Sequence, residues 1–244
     1  MGTRDNNADS ERYGNPCNYR HWRYPELHSN IQEGIKRMKN FAVAITRTCG
    51  SGGTSVAKIL SEDLNIRYYD RMLLRLAADD SGINESVFAA ADEDMKKSAL
   101  FKAFKKVYNG ENISPEKDEF TSSDNLFNYQ AKVMKELVHN ESFIVIGRGA
   151  DFVLRDYPYL VRVFIHANSK TCLKHEMEWL QCDEKTAAAR IERMNKHRNE
   201  YYKHFTGREW MDARNYDLCL DTSRYTYKQC AEMIKALINV KLGW

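Results

Sequence analysis

The sequence predicts an α/β fold, a parallel sheet with helices on both faces. Three observations predict it. Short apolar runs rich in β-formers, Phe41–Thr46, Phe143–Ile146 and Leu160–Ala167, alternate with amphipathic helical stretches. A glycine-rich turn, Gly50-Ser51-Gly52-Gly53, joins the first run to a helix. Polar groups suited to chemistry fall just beyond three run ends: that turn, Asp70 and Arg148. In such sheets ligands bind beyond the carboxyl ends of the strands.

The elements follow in order. Met1 to about Ser29 is polar, with isolated aromatics and no period, and cannot bury enough apolar surface to offset its ordering entropy. It is read as an extension, and residues 1–40 as a region apart from a 41–244 domain. Ile31–Asn40 is a candidate short helix. Phe41–Thr46 is the first strand, and Val56, Ala57, Leu60 and Leu64 mark one face of the helix after the glycine turn. Ile66–Tyr69 is a second strand ending at Asp70, with Met72, Leu73 and Leu76 opening a helix. Asn84–Ala91 and Asp92–Tyr108 read as helices, and Asn109–Asp124, polar with Gly and Pro, as a loop. Leu126–Val138 is an amphipathic helix and Phe143–Ile146 the third strand. Leu160–Ala167 is the fourth, before helices at Lys170–Leu180 and Asp183 to about His204. Tyr216–Leu220 is a fifth strand, and Tyr227–Val240 a closing helix.

Composition narrows the function. A formal net charge of +3, with acids and bases interspersed, argues against a nucleic-acid surface. The six cysteines show neither a C-x-x-C pair nor zinc spacing, which suits a reducing cytoplasm. No apolar run reaches the roughly 18 residues of a membrane span, and no signal peptide is evident. Asn6 stands where a myristoylation signal needs Ser or Thr. The expected partners are small molecules, without nucleic acid or membrane, with a homodimer as the candidate assembly.

The glycine turn carries the chemistry. Glycines let successive N–H groups converge, and a helix N-terminus adds partial positive charge, which together cradle phosphate. A full Walker A loop reads G-x-x-x-x-G-K-[ST]. With Gly52 as its last glycine, the lysine position is Gly53, the hydroxyl position Thr54 and the first-glycine position Arg47. The loop thus keeps a cradle (Gly50, Ser51, Gly52, Gly53, Thr54 and Ser55) and a hydroxyl for a metal, but lacks the lysine. The competing reading is a βα turn with no ligand.

With these residues in hand, the chain resembles the cytidylate kinase-like family of P-loop nucleoside monophosphate kinases. The matching blocks are AITRTCGSGGTSVAKIL, IRYYDRMLL, IVIGRGADFVLRDYP, VRVFIHAN, HRNEYYKHFTGREW and NYDLCLDTS. The resemblance implies a five-stranded parallel sheet, a helical acceptor-binding region over about 70–140 and a lid over about 170–214. It implies transfer of the γ-phosphoryl group of ATP, with Mg²⁺, to a nucleoside monophosphate. Asp70 would begin the acceptor region. Arg148, with Asp151 nearby, would hold the acceptor; Arg198 would reach the transferring group, and Asp221-Thr222-Ser223 would lie near the adenine. Arginines suit this role, because their planar fork pairs two oxygens and stays charged.

Departures from the family pattern are as informative. Gly53 replaces the lysine, with Arg47 placed to supply the charge. Ile146 stands where ordinary cytidylate kinases carry an acid, and Cys172, with Lys174 nearby, where they carry a lid arginine. Arg190 and Arg193 read equally as the wet face of a charged helix with Glu184 and Glu192. Cys49 sits where a thiol pKa can fall, although an incidental thiol is the better reading. The expectation is an ATP-dependent phosphotransferase acting on CMP or dCMP, with Arg47, Arg148 and Arg198 catalytic and Thr54 on the metal. The alternatives are a kinase of another small molecule and a nucleotide-binding sensor without turnover.

Overall fold

The computed structural model describes residues 39–70, 72–81 and 123–243. All of them fall in one compact unit, Lys39–Trp244. The expected extension up to residue 38, the helices at 84–108 and most of the 109–124 loop lie outside the described residues.

The strands are β1 (Ala42–Arg47), β2 (Arg67–Tyr69), β3 (Phe143–Ile146), β4 (Leu160–His166) and β5 (Leu218–Asp221). They form one five-stranded sheet in the order β2-β3-β1-β4-β5, and every pairing is parallel. The central strand β1 pairs Ile45 with Ile146 on one side and Val163 on the other. Its carboxyl end therefore opens between β3 and β4, and the glycine turn leaves from there.

Because side chains alternate along a strand, the apolar runs divide between two cores. Val43, Ile45, Ile144, Ile146, Val163 and Ile165 face one way. They meet Val56, Ala57 and Leu60 of α1 (Gly53–Leu64) and Cys230, Ile234 and Ile238 of α7 (Tyr227–Leu242). Ala42, Ala44, Phe143 and Val145 face the other way, toward α2 (Met72–Ser81) and α3 (Ser123–Asn140). Ile45 is wholly buried, and truncating such a residue to Ala costs about 2 to 5 kcal/mol.

Three more helices border the crevice. The short α4 (Ala150–Val153) follows β3 directly and has no counterpart in the sequence reading, being only one turn long. α5 (Ser169–Leu180) begins at the Asn168 cap, whose side chain accepts from the Thr171 N–H. α6 (Glu184–Thr206) is capped by Asp183, which accepts from the Thr186 N–H, and ends at left-handed Gly207. Thr226 and Gln229 form a reciprocal capping box that starts α7.

Away from the crevice, Asp217 ties β4 to α7. Arg162 Nη2 lies 2.6 Å from its Oδ1 and Lys241 Nζ 2.8 Å from its Oδ2. Burial works against this carboxylate, yet Arg162 and Lys241 hold its pKa down at about 2.

Candidate active site

The site is built on the turn after β1. Gly50 and Gly52 adopt left-handed φ values of 76° and 75°. Both are also crowded from outside the loop. A Cβ on Gly50 would meet the Cys172 carbonyl oxygen at 2.5 Å, and one on Gly52 would meet the Tyr227 ring at 2.4 Å. The loop's carbonyls are tied outward: His175 Nδ1 donates to the Gly50 oxygen (2.9 Å), and the Thr222 hydroxyl donates to the Ser51 oxygen (2.8 Å). Ser51 is buried, and its hydroxyl hydrogen-bonds to the carbonyls of Thr48 and Ile165. With carbonyls held out, amides turn inward. The first helical bond is Val56 N–H to the Gly52 oxygen, so the amides of Gly53, Thr54 and Ser55 have no carbonyl one turn back within α1. Thr54 and Ser55 are half-buried at this helix start. That is the donor set a phosphate group needs.

Gly53 has a separate reason to be glycine. A Cβ there would lie 2.6 Å from Arg47 Cβ and 2.9 Å from Arg47 Cγ. A side chain at residue 53 and one at residue 47 compete for the same space. The usual loop leaves residue 47 bare and places a lysine at 53; this loop does the reverse. The Arg47 stem lies on Gly53, and its Nη1 stands 2.5 Å from where a Gly147 Cβ would be. Its Nη2 is 4.0 Å from Asp70 Oδ1. Arg47 thus spans the crevice from the glycine loop to the turn after β3, alongside Asp70 beyond β2.

The turn after β3 is Gly147-Arg148-Gly149, with φ of 72°, 62° and 62°. Three consecutive left-handed residues reverse the chain into α4. Arg148 is not glycine, so its placement costs about 1 to 2 kcal/mol. Asp151, three residues on, is buried and closed to solvent, its carboxylate accepting from the Tyr202 hydroxyl at 2.6 Å. It lies beneath the turn after β3 rather than on the surface of the crevice.

The far wall is α6. Arg198 Nη1 donates to the Arg47 carbonyl (3.2 Å), and the Cys49 N–H donates to Asn195 Oδ1 (2.8 Å). Burial lowers the Arg198 pKa, with Cys49, Asp70 and Glu176 opposing the shift. Arg190 is half-buried: its Nε is 2.9 Å from Glu176 of α5, and its guanidinium stands over the exposed Trp179 ring. The Cys49 thiol is not activated. Burial first, then Glu176, pushes its pKa up to about 11. Tyr202 and Phe205 are core residues, the latter stacked on Phe127.

The family departures have structural causes. Ile146 is 1% exposed and points into the core shared with α1, so its side chain does not enter the crevice. Asp70 is the carboxylate that stands with Arg47. The backbone of Cys172 closes on Gly50, so this position clamps the loop; Lys174 is exposed and pairs with Glu178. Asp221-Thr222-Ser223 joins the loop through Thr222, and the Ser223 hydroxyl accepts from the Asn168 N–H. Sequence reasoning missed His175 of α5, Asn195 of α6 and Tyr227 of α7, all of which hold the loop. Among the described residues no group of three or more acids, histidines or cysteines is arranged to hold a metal ion. No helix among them is long and apolar enough to cross a membrane.

The family model described as cytidylate kinase-like matches residues 42–224. Among solved structures, an uncharacterized protein from Eubacterium ventriosum is similar at 26% identity and a TM-score of 0.60, over 82% of this chain and 99% of that one. A shikimate kinase from Bacteroides thetaiotaomicron is 10% identical over 82% of this chain and 98% of its own, with a TM-score of 0.46. A gluconokinase from Sinorhizobium meliloti is 13% identical over 83% and 93%, with a TM-score of 0.45. No curated protein matches the sequence. The family match runs from β1 to the turn after β5 and takes in the glycine loop, the Arg148 turn and α6 together. The chain therefore belongs to the cytidylate kinase-like family.

Proposed function

We propose that the protein is an ATP-dependent phosphotransferase that phosphorylates a nucleoside monophosphate, with CMP or dCMP as acceptor. Family membership supports the phosphotransferase, and the acceptor rests on resemblance alone. One observation carries the reading: the Arg47 side chain reaches from Gly53 of the phosphate loop to Gly147 of the acceptor turn. A cation there lies between donor and acceptor, where charge develops as a phosphoryl group moves.

The residues fit a triphosphate. Amides at Gly53–Ser55 would hold the β-phosphate, and the Thr54 hydroxyl would ligate Mg²⁺ directly or through water. Mg²⁺, when bound, neutralises phosphate oxygens. An acceptor phosphate oxygen attacks the γ-phosphorus as the bond to the β–γ bridging oxygen breaks, and ADP leaves. Arg47 neutralises the equatorial oxygens from the strand end, and Arg198 does so from α6. Arg148 grips the acceptor phosphate, and α6 excludes water. A nucleotide-binding regulator is the second reading, favoured by the buried Ile146 in place of an acid.

The test is ADP release from ATP–Mg²⁺ with each ribo- and deoxynucleoside monophosphate in turn. Turnover with a pyrimidine monophosphate above all others is the expected result. ATP binding without transfer to any of them moves the regulator ahead.

A further inference from the structure

One stripe of α6 meets the whole site. Asn195, Arg198 and Tyr202 stand three and then four residues apart, on one side of the helix. Asn195 takes the Cys49 N–H of the phosphate loop, and Arg198 takes the Arg47 carbonyl. The Tyr202 hydroxyl donates to Asp151 Oδ2, on the acceptor side. Asp151 sits in α4, three residues after Arg148, and Tyr202 one turn after Arg198.

This contact is costly to keep. Asp151 and Tyr202 are 2% and 3% exposed, and Asp151 Oδ1 is buried with no hydrogen-bond partner. An apolar pair would fill the space without burying a half-satisfied carboxyl. Burial pushes the Asp151 pKa up to about 6, against the Tyr202 hydroxyl, its own N–H, Arg208 and Arg162. The charged groups facing it are therefore Arg208, beyond α6, and Arg162 of β4. Tyr202 and Tyr216 are the neutral titratable neighbours.

We infer that Asp151 and Tyr202 are a positioning pair that fixes Arg198 of α6 relative to Arg148 of the acceptor turn, so that the transferring phosphoryl group and the acceptor phosphate are held in line with each other. The inference rests on the proposed function for what the arginines hold, but the coupling of α6 to the turn is a property of the chain itself. A phenol donates more strongly to a carboxylate than to a carboxylic acid, so the joint tightens as Asp151 ionises.

The experiment has two readouts on the full chain. Tyr202→Phe removes the donor; Asp151→Asn keeps an acceptor for it but cannot titrate. In steady-state kinetics from about pH 5 to about pH 8, the parent gains kcat as Asp151 ionises, and Asp151→Asn loses that limb. Tyr202→Phe lowers kcat by roughly tenfold to a hundredfold with KM for ATP within about twofold, the scale of a misplaced group. Adding Asp151→Asn to Tyr202→Phe lowers kcat little further. An unchanged acid limb in Asp151→Asn, or a Tyr202→Phe variant with parental kcat, overturns the inference. Amide hydrogen exchange reads the joint without turnover: Tyr202→Phe should loosen α6 and the segment 147–153 together. Loosening of α6 alone overturns the coupling, while an inactive parent with the joint loosening contradicts only the proposed function.

Discussion

Two turns face each other across the crevice, both with left-handed glycines, yet they are built on different principles. The phosphate loop is a backbone device. Gly50 and Gly52 are required by conformation and again by neighbours, the Cys172 backbone and the Tyr227 ring, and Gly53 is required by the Arg47 stem. The loop's carbonyls are anchored outward by His175 and Thr222. The turn after β3 is a side-chain device. It holds Arg148 in a left-handed conformation at φ 62°, and Gly149 has only ordinary contacts, 3.6 Å at the nearest. The phosphate loop is thus held by its neighbours at several points, whereas the turn after β3 stores strain in a charged residue. Arg47 belongs to both, since its stem lies on one turn and its guanidinium on the other.

The contrast can be broken at each glycine. The largest effect is expected from Gly50→Ala. Its Cβ would strike backbone, which cannot step aside, in a conformation alanine resists. ATP binding by calorimetry should vanish, and chemical denaturation should show a loss of about 2 to 3 kcal/mol. Retained ATP affinity would mean that the loop is not the phosphate site. Next comes Gly147→Ala, whose Cβ meets only the mobile end of Arg47. Stability should fall by about 1 kcal/mol, but displacing the guanidinium should lower turnover by roughly one to two powers of ten. Gly149→Ala is the control. It should show a similar stability loss of about 1 kcal/mol with turnover near the parent's. Equal turnover losses at both glycines would count against Arg47 as the bridge.

A smaller difference is read by pH. The Asp151 pKa is raised by burial to about 6, so the folded chain binds a proton there that the unfolded chain releases. Its contribution to stability is full below about pH 4 and is lost as pH rises through about 6. Asp151→Asn should remove that decline and gain up to about 2 to 3 kcal/mol near neutrality. Asp217, held at about 2, has the opposite sign: its contribution is present above about pH 4 and is lost as pH falls through about 2. Urea midpoints across this range for the parent and Asp151→Asn separate the two.

Much of the frame was legible because it depends on local pattern. Phe143–Ile146 is a strand with the predicted bounds, and the other strands shift by one or two residues. Alternation in the apolar runs was enough, since both faces of the sheet are covered. The site was legible only where one residue signals by itself. Gly50, Gly52 and Arg148 stand out by type and place. His175, Tyr227 and Asn195 do not, because each acts through a backbone contact on a distant segment, and nothing in their own neighbourhoods marks it. Residues 195, 198 and 202 were separable in principle: a polar stripe at helical spacing on a charged helix suggests a bound face. Asp151 stood in sequence next to Arg148, but burial under Tyr202 is a tertiary fact. The reason for glycine at 53 also needed coordinates, since it lies in a side chain six residues earlier.

We propose that the cation of the phosphate loop stands at residue 47 instead of residue 53, and the two positions exclude each other. Exchanging them tests this directly, because Arg47→Gly with Gly53→Lys writes the ordinary loop, G-T-C-G-S-G-K-T, into this chain. Phosphoryl transfer is measured for the parent, each single variant and the pair. Arg47→Gly alone should lose roughly two to three powers of ten, the scale of one missing charge donor. Gly53→Lys alone should lose as much or more, because the new stem collides with Arg47. The pair should recover a substantial part of the loss. A Gly53→Lys variant as active as the parent, or a pair no better than the worse single variant, would contradict the account.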